Sequence, residues 1–369
     1  MQVLIFGDNI LYRYGGAEKS AYLLTDYLQR LCGLEVRVIS GRSDHLDKNL
    51  DKYPYKNIEE MDFFFNRQFP YFKYWVNSII YKRNFKKKSS GLLLAQSSAA
   101  PMAINSFNGP SVYFVRDELS LNINRCYEKR LKKRIKFSIR RLIDYPFFMH
   151  YSAENRKAMG KANLIVANSR YMADRVRQEF GCDKIIALST VDIGSLDSIK
   201  TPPVSERPYI TLVGSSEVKG ISIFKRIARL LPRYKFLLIG RSYSHHTEGN
   251  ITYHGFVNDI VELFRKTRIL LVPSVWIEAF GRVSVEAQAL GIPVIVSRRG
   301  GLPETVPSAE YTVSDYRNAD VWIKKILWVL DDYENHSKKA REYIAKFGLD
   351  KQMETLFKAI YDATGLRLK

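Results

Sequence analysis

The chain has 369 residues, 46% hydrophobic and 26% charged, and its 58 Lys and Arg exceed its 38 Asp and Glu by a formal net charge of +20. The length is more than one hydrophobic core usually supports, so two domains are expected, and the polarity is that of a soluble globular enzyme. Three distant cysteines, Cys32, Cys126 and Cys182, argue against a disulfide framework or a zinc site and fit a reducing cytoplasm. The opening MQVLIFGDNI has neither a basic n-region nor a long apolar h-region, so no signal peptide is expected, and no apolar run is long enough to predict a membrane span.

Residues 2–7 (QVLIFG) predict a short buried strand. A loop with Gly15 and Gly16 follows, then a helix over AEKSAYLLTDYLQRL that Cys32-Gly33 stops, then the strand EVRVIS. This opening predicts a doubly wound parallel sheet, although GxGxxG is missing. Residues 53–90 are rich in Tyr, Phe and Lys, lack strand alternation, and read as a helical insertion with aromatic faces. Strands return at GLLLAQ (91–96) and SVYFVRD (111–117). Residues 124–151 predict a basic amphipathic helix followed by an aromatic cluster. The run ANLIVANSRYMADRVRQEFG reads as strand, Asn-Ser turn, helix and Gly stop, and KIIALST as a short strand.

The proline-rich SIKTPPVSERP (198–208) reads as an interdomain linker. A second β/α series starts at YITLVG (209–214), continues through KFLLIGR, NITYHGFV, RILLVPS and PVIVS, and ends in a helical region at 319–362. The expected fold class is α/β with two Rossmann-like domains, 1–203 and 204–350. A C-terminal helix, 351–369, is expected to pack back toward the first. A cleft is expected where the carboxyl ends of the two sheets face each other.

The chemistry concentrates in VPSVWIEAFGRVSVEAQALGIPVIVSRRGGLPE. Glu278 sits on a loop after a strand, Phe280-Gly281 starts a helix, and Gly291 and Pro293 end it. The first helical N–H groups, around Phe280, Gly281, Arg282 and Val283, together with the helix dipole form a site for a diphosphate. Glu286, eight residues after Glu278, returns to the same side and suits the vicinal hydroxyls of a ribose. Glu278 could reach hydroxyls of a transferred sugar. A solvated Glu in a first helical turn is the ordinary alternative for either carboxylate taken alone.

The joint pattern of Pro-Ser, Glu278, Ala-Phe-Gly, Glu286, Gly-x-Pro-Val-Ile and Gly-Gly-Leu-Pro-Glu is similar to the donor-site signature of glycosyltransferase family 4, of the GT-B fold. Gly15-Gly16-Ala17-Glu18 resembles that family's N-terminal glycine loop, whose close approach to donor phosphate and acceptor implies positive φ. Ala167-Asn168-Ser169 resembles its strand-to-helix turn. Val213-Gly214 with Lys219-Gly220 resembles its second-domain phosphate loop, with Ser215 and Ser216 where the family carries an Arg. Arg241 or Arg282 is the candidate replacement cation. The family's His-Asp pair is replaced by Arg116-Asp117-Glu118. Arg116 is expected to stabilise the leaving phosphate or an anionic sugar, with Asp117 positioning it. His254 falls in a turn that the resemblance places near the nucleobase.

What the resemblance implies is a retaining transfer of a sugar from a nucleoside-diphosphate sugar to a hydroxyl of a glycan or lipid-linked glycan, in bacterial surface-polysaccharide assembly. The leaving phosphate would accept the acceptor's proton, so Glu278 positions the sugar and is not carried over as a glycosidase-type nucleophile. No Asp-x-Asp lies at a strand end, so neither a metal nor another cofactor is expected. Lys219 and the helix N-terminus would hold the diphosphate, and closure of the lobes would exclude water.

Through residue 205 there are 33 Lys and Arg against 20 Asp and Glu, and the remainder has 25 against 18, so the positive excess is N-terminal. Residues 82–88 hold five cations in seven and 125–141 hold nine with one acid, interleaved with Phe69, Tyr71, Phe72, Tyr74 and Trp75 and with Phe137, Ile139, Leu142, Phe147 and Phe148. An anionic membrane surface is the expected partner through 82–88 and 125–148, giving a cytoplasmic protein peripheral on the inner face of the cell membrane. The alternative is that the cations form a solvated face and the aromatics a core. Nucleic acid would account for the charge but not for the donor signature. A catalytically silent GT-B subunit that binds a partner enzyme or an anionic polymer is the rival functional reading.

Overall fold

The computed structural model describes residues 2–8, 10–11, 15–42, 55–64, 69–88, 90–122, 131–255, 257 and 260–368. The chain divides into two compact units, Met1–Thr190 with Gln352–Lys369, and Val191–Lys351. The division falls at Thr190/Val191 and not at the expected 203/204.

The first unit is built on seven strands: β1 (Gln2–Gly7), β2 (Glu35–Arg42), β3 (Ile58–Asp62), β4 (Leu92–Gln96), β5 (Ser111–Val115), β6 (Leu164–Ala167) and β7 (Ile185–Ala187). They pair in parallel in the order β3-β2-β1-β4-β5-β6-β7, the doubly wound order with one added strand. LLLAQ and SVYFV are buried at every residue, as continuous apolar runs must be when helices cover both sheet faces. β3 was not expected. Its sequence, IEEMD, is half-exposed at the sheet edge, where neither apolar alternation nor a buried run is needed. The rest of the supposed insertion is helical as expected, over Pro70–Lys86.

That helix joins the core through rings: Phe6 meets Tyr81 at 5.5 Å and Phe85 at 5.0 Å, and Tyr74 lies 5.4 Å from Tyr151. Tyr71 and Tyr74 are buried, so those two aromatics belong to the core, whereas Trp75 is exposed. Its N-terminus is capped at long range. Asp144, buried between helices Leu131–Ile143 and Tyr145–Lys161, accepts the N–H groups of Tyr71 (3.1 Å) and Phe72 (2.9 Å). The C-terminal helix Leu349–Thr364 belongs, from Gln352 on, to this first unit. Phe357 packs on Tyr27 with centroids 5.9 Å apart, and Gln352 Oε1 accepts from the Ser189 N–H.

The second unit repeats the plan with β8 (Tyr209–Val213), β9 (Lys235–Ile239), β10 (His246–Glu248), β11 (Ile251–His254), β12 (Thr267–Val272), β13 (Val294–Ser297) and β14 (Thr312–Val313). Their order is β10-β11-β9-β8-β12-β13-β14, with β10 alone antiparallel. Without that hairpin strand the order is again the doubly wound one. Residues 198–208 do not hang free as a linker but are held to this unit by Arg268, which donates to Val204 O (3.1 Å), while within the segment Arg207 Nε donates to Pro202 O (2.8 Å). The core gathers Phe224, Phe236 and Trp322 with the strand side chains.

Among the terminal helices, His336 is buried beside Trp328, and the Tyr311 hydroxyl reaches its Nδ1 at 2.6 Å. Burial pushes Tyr311 up to about 12, so that hydroxyl keeps its proton and donates to a neutral ring. Burial, helped by Lys339, holds His336 below its ordinary 6.5. A depressed histidine contributes stability above its unfolded pKa and loses it as pH falls. The thermal midpoint is therefore expected to drop as the pH is taken below 6.5, and His336→Asn is expected to flatten that slope. An unchanged slope in the variant, measured by circular dichroism, would place the acid sensitivity elsewhere.

Candidate functional site

In a doubly wound sheet the crevice for a ligand opens beyond the carboxyl ends of the strands that flank the reversal of strand order. In the second unit these are β8 and β12. The loop after β8 carries Gly214, Lys219 and Gly220; the loop after β12 carries Ser274 and Glu278. The two are fastened together by backbone. The Val218 carbonyl accepts the N–H groups of both Val275 (2.8 Å) and Trp276 (3.0 Å). Gly220, at φ +87°, lies against the Pro273 carbonyl so closely that a Cβ would come within 2.0 Å of that oxygen. No other residue allows both the dihedral and the approach.

Across this seam Lys219 Nζ meets Glu278 Oε1 at 2.5 Å, and the buried Ser274 hydroxyl donates to the same oxygen at 2.9 Å. The Glu278 side chain is 14% exposed and that of Lys219 39%, so the pair opens toward solvent on the lysine side. Gly214 abuts the lysine stem: a Cβ there would stand 2.8 Å from Lys219 Cβ and Cγ. A third loop, after β13, supports Glu278 from behind. Gly301 N–H donates to the Glu278 carbonyl (2.8 Å), Gly300 at φ +59° would place a Cβ 2.2 Å from that carbonyl oxygen, and Arg299 donates to Val275 O (3.1 Å). The Gly-Gly of the sequence pattern thus holds the carboxylate's backbone.

The helix expected to begin near Phe280 begins at Arg282 and runs to Ala289, with Gly281 as its N-cap at φ +108°. Arg282 and Val283 head it. Phe280 instead turns its ring into a core with Val191, Ile193, Val285 and Phe347. Glu286 is 9% exposed and paired with Arg282 at 3.2 Å. That pairing occupies the guanidinium considered as a replacement cation. Arg241 follows β9 and is exposed. His254 ends β11, with its ring 5.4 Å from that of His245.

The first unit places its expected residues differently. Gly15 has φ −105° and caps the helix that starts at Gly16, so neither residue shows the positive φ anticipated. The close approach at Gly15 is to the helix's own Glu18 carboxylate. Arg116, beyond β5, donates from Nε to Gln96 Oε1 (3.1 Å) and lies over the Phe114 ring at 5.0 Å. Asp117 does not orient that guanidinium through its Oδ1, which accepts from Ser120 N–H (2.9 Å) and hydroxyl (2.7 Å) and caps the turn Leu119–Leu121. Asn168 Nδ2 donates to the Arg116 carbonyl, and Ser169 caps the following helix.

Sequence reasoning did not find the buried ion pair at this unit's own reversal point. Asp8, just past β1, takes Lys73 Nζ at 2.9 Å and the Ser97 hydroxyl at 3.1 Å, with both charged side chains below a tenth exposed. Ser97, past β4, has φ +72°, a conformation non-glycine residues rarely adopt. Lysine 73 on an aromatic-rich helix gives no sign of its partner 65 residues away. Ser274 was quoted only as part of the Pro-Ser of the joint pattern and given no role, since a serine after a strand reads as turn chemistry.

Two family models match the chain. "Glycosyltransferase Family 4" covers residues 14–188 and "Glycosyl transferases group 1" covers 198–347, together most of the sequence. Spore coat protein SA of Bacillus subtilis is 30% identical over 121 residues, 31% of this chain and 32% of that protein, so the match spans under a third of this curated relative. Sucrose-phosphate synthase of Thermosynechococcus elongatus superposes with a TM-score of 0.72 at 17% identity, over 98% of this chain and 99% of that one. HepE of Anabaena, solved in complex with UDP, superposes at 0.70 with 18% identity, over 98% and 100%. These likenesses give the architecture, GT-B.

Burial alone pulls the Lys73 ammonium down, but Asp8 and Tyr74 outweigh it and hold its pKa above the ordinary value. Lys73→Met leaves a buried carboxylate unpaired and is expected to cost about 3–5 kcal/mol in urea unfolding. Adding Asp8→Asn is expected to recover part of that loss. Simple additivity of the two variants would mean that the pair is not coupled.

Proposed function

Because the chain belongs to the family 4, group 1 glycosyltransferases, we propose that it moves a sugar from a nucleoside-diphosphate sugar to a hydroxyl of a glycan or lipid-linked glycan. The observation that carries this is the Lys219–Glu278 pair at the reversal point of the second sheet, with the helix Arg282–Ala289 and Glu286 beside it. The UDP bound by HepE supports a nucleoside diphosphate as the leaving group.

In this reading Lys219 and the N–H groups of Arg282 and Val283 meet the charge that grows on the diphosphate. Gly214 leaves room for the lysine stem. Glu286 takes the ribose hydroxyls, Glu278 holds the transferred sugar, and the backbone around His254 contacts the base. The anomeric C–O bond to the diphosphate breaks, a bond to the acceptor oxygen forms on the same face, and the acceptor's proton passes to a phosphate oxygen. Configuration is retained, and the charge is met without a metal ion. On the first unit Gly15 and Gly16 approach the donor phosphate and the acceptor, and Arg116 meets the leaving phosphate or an anionic sugar, with Asp117 acting through the turn it caps. The role falls in surface-polysaccharide assembly, on the inner face of an anionic membrane.

Release of nucleoside diphosphate from a panel of nucleotide sugars tests the reading. With an active donor, Glu286→Gln is expected to raise KM for the donor with little change in kcat. Glu278→Gln is expected to lower kcat, and Lys219→Met to lower it by about a hundredfold, the loss typical of one transition-state donor. Full activity of all three variants would sink the assignment. No release from any donor, in the presence of glycan and lipid-linked acceptors, would instead support the catalytically silent subunit.

A further inference from the structure

Among the described residues no helix is long and apolar enough to cross a membrane. One helix of the first unit nevertheless presents an apolar stripe that the described residues of this unit do not cover. Leu131–Ile143 has no buried residue. Leu131, Ile135, Ile139 and Leu142 recur at helical spacing on one side and are 68%, 51%, 54% and 76% exposed. Lys132, Lys133, Arg134, Lys136, Arg140 and Arg141 occupy its other sides, and the helix contains no acidic residue. Residues 123–130, the start of the basic stretch read from the sequence, lie outside the described residues.

The surface extends beyond this helix. Tyr145 and Met149, on the next one, are about half exposed. Asp144 ties the junction to helix Pro70–Lys86, and Phe147 lies 5.3 Å from Trp75. On that helix Trp75 and Ile79 are exposed, with Lys82, Arg83 and Lys86 following on the same face at seven, eight and eleven residues from Trp75. Apolar side chains, an indole and cations therefore alternate over three joined helices.

We propose that this face docks on an anionic bilayer, with Leu131–Ile143 lying in the interfacial plane, its stripe entering the acyl boundary, and Trp75 and Ile79 entering beside it. This deepens the membrane reading above and is independent of whether sugar transfer occurs. Charge complementarity selects the occupant. A phosphate-rich polymer would satisfy the cations but leave the stripe wet, whereas lipid satisfies both, with Lys and Arg stems reaching up to the headgroups. The direction follows as well: the unit that carries Arg116 would be held at the surface where a lipid-linked acceptor resides.

Flotation of the full chain with phosphatidylcholine vesicles, with and without phosphatidylglycerol, tests the proposal. Binding is expected with the anionic vesicles only, weakened but not abolished by high salt, with a blue shift of fluorescence that Trp75→Phe reduces. Ile135→Asp with Ile139→Asp is expected to lower partitioning more than tenfold without altering the circular dichroism spectrum. Each of Lys132→Glu and Lys136→Glu is expected to lower it about fivefold or more, the effect of one cation near the surface. Equal flotation on both vesicle types, no flotation at all, or binding that the aspartate pair leaves intact would overturn it. Binding to polyglutamate but not to vesicles would overturn it too, in favour of an acidic protein partner. Nucleoside diphosphate release to a soluble acceptor, measured on the same variants, separates loss of docking from failure of the catalytic reading.

Discussion

The Val218 carbonyl, shared by the N–H groups of Val275 and Trp276, is the contact on which the second unit's site depends. It draws the loop after β8 onto the loop after β12, so that Lys219 and Glu278 meet although they lie 59 residues apart. Two backbone donors on one acceptor fix both the distance and the register of the loops. Gly220 and Gly300 are then explained as close approaches of chain to chain, one against Pro273 and the other against Glu278. The signature residues thus divide into side chains that face the crevice and glycines that let three loops meet behind them.

The same topology carries different contents in the first unit. At its reversal point an ion pair is sealed in, with Asp8, Lys73, Ser97 and the Tyr74–Ser98 contact arranged around it. In the second unit the corresponding pair is half-open, with Lys219 the more exposed member. A buried pair is a costly structural element whose charges are committed to each other, whereas a pair facing solvent can exchange one partner for a ligand. On this physical ground the pair in the second unit suits the anion site proposed for it, and Asp8 and Lys73 serve the shape of the first.

Legibility followed the same line. Buried runs such as LLLAQ, SVYFV and ILLV announced strands because burial on both faces leaves no other pattern. The edge strand IEEMD stayed hidden because its environment imposes none. Within the site, the two glutamates and Lys219 were named from the resemblance of their motifs to the family's donor signature and phosphate loop, and Lys219 and Glu278 do meet. The cap at Gly281 could not be read that way: the chain enters the left-handed region there, so the helix starts two residues later than Phe280 and the ring is free to join the core. Asp117 was read as a partner of Arg116 from adjacency, but adjacent residues at a strand end point apart, and the nearer acceptor need was the turn at Ser120. Residues 198–208 were read as a linker from their prolines, yet Arg268 bonds the Val204 carbonyl and the segment belongs to the second unit.

The charge of +20 resolves into two unlike populations. Lys219 and Arg282 each face a glutamate within salt-bridge distance. A diphosphate would gain by taking over the lysine, and the carboxylate so released would turn to neutral hydroxyls, which suits a ligand with both groups. The cations of Leu131–Ile143 have no such counterpart within their helix and lie beside an apolar stripe. An external negative surface relieves their mutual repulsion, and relief grows with the number of cations engaged at once, as an extended anionic plane allows and a single small ligand does not.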